Sequence, residues 1–137
     1  MVDADIIAQR LERLKCYVKQ LRTIQKSGKK KVCKNAITFA AMERYLQLAV
    51  ECVLAVGNHI LAGLNLRKPA TYEQIMQILS EEKIITKKIL TASKPISSIR
   101  SLLVHDYSEV NRDKLFDTAR AIMPAFEDLA KVYRKFL

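Results

Sequence analysis

The chain is 137 residues long and half hydrophobic, with only 3 Gly and 3 Pro. That length suits one domain, residues 1–137, with a core of its own, and so few turn formers favour a few long helices over many strands. With 24 Lys and Arg against 14 Asp and Glu, the formal charge is +10. This excludes an acidic solvating chain and points to a polyanionic partner, RNA first and a membrane surface second.

Helix one is expected over about 5–25. Ile7, Leu11, Leu14, Val18 and Leu21 alternate four and three apart, the seam of a helix packed along its length. Arg10, Arg13, Lys15, Lys19 and Arg22 fall on the other face and read as solvated. Gly28 ends the helix inside the densest positive cluster, Lys26, Lys29, Lys30, Lys31 and Lys34. A flexible solvated loop is the default there, and contact with an RNA backbone is the alternative.

Helix two, about 35–64, is the most apolar stretch. Met42, Leu46, Ala49, Val53, Val56, Ile60 and Gly63 form one seam, and Tyr45, Leu48, Cys52 and Ala55 widen it. Such a helix must be contacted on more than one side, as the centre of a bundle or of a bundle that also dimerises. Gln47, Glu51, Asn58 and His59 interrupt it, so it reads as a buried helix and not a membrane span. Asn58 and His59 are first expected to serve a hydrogen-bonded network.

After Pro69, Thr71 and Gln74 have capping-box spacing for a helix to about residue 79. A further helix is expected from residue 81 or 82 to 90, with Ile84, Ile85 and Ile89 inward. Pro95 suits the first turn of the next helix. Asn111 is a candidate N-cap for the last helix, which carries Leu115, Ala119, Ile122, Phe126, Leu129 and Tyr133 to about residue 135. Pro124 inside it should bend it. The fold expected is all-α: an antiparallel four-helix bundle with one extra short helix, dimerising through helices.

Cys16, Cys33 and Cys52 are odd in number and without paired spacing. They read as free thiols of a reducing cytoplasm, with neither a zinc site nor a disulfide framework. The acidic start, Met1 to Asp5, is unlike a signal peptide.

The helix beginning at Pro95 ends in Arg100-Ser101-Leu102-Leu103-Val104-His105-Asp106-Tyr107. Ile96, Ile99, Leu102 and Leu103 can pack inward. A five-residue step turns a straight helix by roughly 140°, so Arg100 and His105 share a face only if the helix frays near Val104. Such a pair could cleave RNA without a metal or other cofactor, because RNA carries its own nucleophile in the 2′-hydroxyl. Histidine moves protons near neutral pH, and the arginine fork neutralises charge on phosphate. By itself the spacing is common, and a histidine near a helix C-terminus often only complements the dipole.

Arg100-Ser101-Leu102-Leu103-Val104-His105-Asp106-Tyr107 resembles the Arg-x4-His-x-Tyr signature of HepT-type toxins, a branch of the HEPN ribonuclease superfamily. Glu43-Arg44-Tyr45-Leu46-Gln47-Leu48-Ala49-Val50-Glu51 and Asn58-His59-Ile60 are similar to that family's central helix. Arg67-Lys68-Pro69 with Tyr72 is similar to its post-helix turn. Where the family reads Gly-Phe-Arg-Asn, this chain has Ser98-Ile99-Arg100-Ser101, so a shorter polar group follows the arginine.

The resemblance implies an endoribonuclease toxin, active on RNA, tRNA included, as a homodimer with two motifs facing a shared cleft. Arg100 would clamp the phosphate, His105 handle the proton, and Ser101, Asn58 and His59 support them. It also implies an MNT-type nucleotidyltransferase antitoxin that modifies Tyr107 with AMP. The alternative is a HEPN binding partner of a separate nucleotidyltransferase without turnover of its own.

Overall fold

The computed structural model describes residues 1–104 and 109–137, without the side chains of Ser97, Arg100, Ser101, Leu102, Val104, Glu109 and Val110. The described residues form helices and no strands. The helices are α1 (Ala4–Lys26), α2 (Lys29–Lys34), α3 (Ala36–Gly63), α4 (Tyr72–Glu81), α5 (Lys87–Ser93), α6 (Pro95–Val104) and α7 (Glu109–Arg134). The long helices follow the predicted seams. Ile7, Leu11, Leu14, Val18 and Leu21 are all buried on α1, as are the six predicted residues from Leu115 to Tyr133 on α7.

Side-chain pairings fix the directions. His59, late in α3, meets Asp3 at the start of α1, so these helices are antiparallel. Arg22 of α1 pairs with Glu127, and Lys29 just beyond it with Asp117, so α1 and α7 also run antiparallel. Helix α3 sits centrally, in contact with α1, α2, α4, α6 and α7. By length and composition it could cross a membrane, yet 56% of its apolar window is buried by the other helices.

The short elements depart from expectation. The lysine-rich segment is a helical turn, not a loop: α2 follows Gly28, whose φ of 88° lets the chain reverse, and it buries Val32 completely. The helix expected from residue 81 or 82 begins only at Lys87. Lys83 takes a left-handed φ of 60° and Ile84 N–H donates to Leu79 O at 2.9 Å, a Schellman-type end that turns the chain out of α4. Thr86 then caps α5 through Ile89 N–H. Asn111 is no N-cap, because α7 already begins at Glu109. The bundle thus carries α2, α4 and α5 as additional short helices where one was expected. Thr71 does cap Gln74 N–H, but the Gln74 side chain accepts from Ala70 N–H instead of the cap residue's own.

Candidate active site

Helix α6 fixes the backbone from which the motif projects. Pro95 opens it, and Ile96 and Ile99 anchor one face at 3% and 0% exposure. The backbone of Arg100 and Ser101 therefore belongs to a helix held against the core. Their side chains, that of Leu102, and His105 and Tyr107 lie outside the described residues.

Leu103 shows what α6 faces. It lines a groove of about 320 Å³ with Ala40, Glu43, Arg44, Gln47, Val50 and Glu51 of α3. Three of these are linked: Arg44 Nη1 donates to Gln47 Oε1, and Gln47 Nε2 donates to Glu51 Oε1, each at 3.2 Å. Steps of three and four keep them on one stripe of the helix. The ladder holds a guanidinium and a carboxylate beside the end of α6, with the Glu43 carboxylate in the same groove, where a polar substrate could be oriented. In the sequence Glu43 and Arg44 stand out only as part of a motif, and Gln47 and Glu51 also as breaks in the apolar run. The signal was the polar stripe 43, 44, 47 and 51 on an otherwise apolar helix.

Other expected site residues are placed elsewhere. Asn58 is exposed, while the His59 ring is half-buried and accepts the Asp3 backbone N–H at Nε2 over 2.9 Å. Asp3 in turn caps α1 through Asp5 N–H and Ile6 N–H. His59 thus ties the N-terminus across α3, about 12 Å along the helix from Glu51. Lys29 forms an ion pair with Asp117 at 2.8 Å, whereas Lys26, Lys30, Lys31 and Lys34 are exposed. Arg112 locks α2 to α7 by donating to Cys33 O and lying 5.1 Å from the Phe39 ring centroid. Burial, reinforced by Asp113, pushes the Cys33 thiol up, and burial does the same for Cys52, so neither is an activated nucleophile.

A sequence profile described as ribonuclease HepT-like matches residues 7–133. YutE of Bacillus subtilis (strain 168) is 33% identical over 97 residues, 71% of this chain and 67% of that protein. The tRNA nuclease HepT of Aphanizomenon flos-aquae (strain 2012/KM1/D3) is 25% identical over 115 residues, 84% of this chain and 78% of its own. Among solved structures, a tri-AMPylated HEPN toxin of Shewanella oneidensis in complex with MNT antitoxin shares the fold. Its TM-score is 0.86, over 97% of this chain and 99% of that one, at 22% identity.

Proposed function

This chain belongs to the ribonuclease HepT-like family, and from that premise we propose that it is a metal-independent endoribonuclease, the toxin of a HEPN/MNT toxin–antitoxin pair. The observation that carries this reading is the Arg-x4-His-x-Tyr spacing from Arg100 to Tyr107, starting on core-anchored α6 in a chain matched to the family from residue 7 to 133.

In the proposed reaction the 2′-oxygen of one ribose attacks the adjacent phosphorus and the 5′-oxygen of the next nucleotide leaves. The product ends are a cyclic phosphate and a free hydroxyl. His105 takes the 2′-proton or delivers one to the leaving oxygen. Arg100 holds two phosphate oxygens and offsets the charge that builds on them. Ser101 offers a hydroxyl beside the arginine, whereas Asn58 and His59, beside the N-terminal end of α1, take no part in the proposed step. The likeness to a tRNA nuclease supports tRNA among the substrates.

The partner is an MNT nucleotidyltransferase antitoxin, as in the Shewanella complex, and Tyr107 is the acceptor. Its phenolic oxygen attacks the α-phosphorus of ATP and pyrophosphate leaves. The working unit is a homodimer. Ala41, Leu48 and Ala55 are only half-buried on α3 and Ala62 is exposed, a seven-residue stripe suited to close helix pairing.

The direct test is RNA cleavage in EDTA. Wild type should cleave, while Arg100→Ala and His105→Ala should fold normally and lose the activity. Equal cleavage by all three would reveal a contaminating nuclease. No cleavage by any would favour the binding-partner reading, for which Ser101 in place of the family's asparagine is the supporting observation.

A further inference from the structure

Helices α1 and α7 leave a groove of about 580 Å³ between them, away from α6. Its floor is apolar, with Leu14, Val18 and Phe126 among the lining residues. Its walls are cationic: Lys15, Lys19, Arg22 and Lys26 from α1, Lys131 and Arg134 from α7, against the single carboxylate of Glu127. Six cations against one anion leave an excess of five, half of the chain's formal +10.

The spacing makes this more than a solvated face. Lys15, Lys19, Arg22 and Lys26 recur at four, three and four residues, so α1 points them into one channel. Like charges at such steps destabilise an isolated helix. Among the described residues only Arg22 of the six forms an ion pair, with Glu127. A row of cations facing a second row across an open groove is relieved by a polyanion laid along it.

We propose that the α1/α7 groove is an RNA-backbone exosite. It is a second binding surface for the substrate, separate from the residues that cleave. The proposal rests on the ribonuclease reading. Glu127 lies 18 residues beyond the start of α7, a path of about 27 Å along the helix. An RNA seated in the groove must therefore be long enough to run back to the α6 end. The exosite favours extended or structured RNA over short oligonucleotides and carries no sequence preference, since phosphate contacts position a nucleic acid without reading it.

The test uses the triple variant Lys15→Ser/Lys19→Ser/Lys131→Ser and, as a charge-matched control, Lys68→Ser/Lys87→Ser/Lys88→Ser outside the groove. Binding of a tRNA-sized RNA is followed by anisotropy over a salt series in the His105→Ala background, and cleavage is measured in the His105 enzyme. The groove variant should lose affinity, with its salt slope shallower by about 0.7 for each single-strand phosphate contact removed. Its KM for long RNA should rise with kcat unchanged, and short oligonucleotides should be cleaved as by wild type. The control should change little. Equal losses in both triple variants would mean diffuse charge, and would overturn the proposal. Unchanged RNA binding with loss of a co-expressed nucleotidyltransferase would make the groove a protein-docking surface, and would overturn it too. Groove-dependent binding by a protein that cleaves nothing would leave the exosite standing and remove the nuclease reading.

Discussion

Tyr133 shows how much one residue holds. Fully buried on α7, it donates its hydroxyl to Val53 O of α3 at 2.8 Å. Gly57 lies opposite, where an added Cβ would come within 3.0 Å of the Tyr133 oxygen and 2.8 Å of Ile75 Cγ2. The glycine is there because two helices approach α3 closely, not because the backbone needs it. Removing the hydroxyl in Tyr133→Phe should cost about 1 kcal/mol at neutral pH. Burial also raises the phenol's pKa above its ordinary 10.0. Above that pH the unfolded state releases the proton and the folded state keeps it, so stability falls as pH rises. The phenylalanine variant lacks this penalty. The stability gap between the two proteins, measured by urea unfolding, should be constant below pH 10 and narrow above it. A gap that stays constant through alkaline pH would show that the hydroxyl ionises as freely in the fold as in the unfolded chain.

Among the elements, α3 carries the argument for assembly. Its inward seam is consumed by the surrounding helices, so surplus apolar surface alone no longer demands a partner. What remains is the stripe of Ala41, Leu48, Ala55 and Ala62, small enough to let a second α3 approach. The homodimer should bury on the order of 1,200–2,000 Å² and scatter light as twice 15.7 kDa. Ala55→Arg would place a long charged side chain in that contact and should give a folded monomer at micromolar concentration. A wild type already monomeric would sink the dimer. The long helices were legible because burial obeys the 3.6-residue period, which the seams of α1, α3 and α7 display. The short ones were less so. Helix α4 ends on Lys83 in a left-handed turn that sequences usually mark with glycine, and α2 looks like a solvated charge run until Val32 is seen in the core. The polar ladder of Arg44, Gln47 and Glu51 could be listed from the sequence, but its facing of Leu103 depends on how α6 docks. That docking is tertiary information.

Across the whole molecule, charge and switch act on different ranges. In the proposed nuclease the formal charge of +10 would draw RNA from a distance, and half of that excess lies in the α1/α7 groove. One adenylyl group on Tyr107 brings a single phosphodiester charge, far too little to reverse that field. If Arg100 and His105 cleave as proposed, its effect must be local, from bulk and an anion two residues from His105 in the sequence, competing for the guanidinium that holds the phosphate. Modified protein should therefore still bind long RNA with a salt slope close to that of the unmodified form, while cleaving at least about 100-fold more slowly, the scale of losing one transition-state charge contact. Tyr107→Phe lacks the acceptor oxygen, so it should gain no adenylyl mass with the nucleotidyltransferase and ATP, and keep cleaving in its presence. Mass spectrometry, anisotropy and cleavage on the same samples separate the outcomes. Adenylyl mass on wild type and Tyr107→Phe alike, or on neither, would reduce Tyr107 to a packing residue. Modified protein that no longer binds RNA at all would show that the switch blocks association, and not the chemical step.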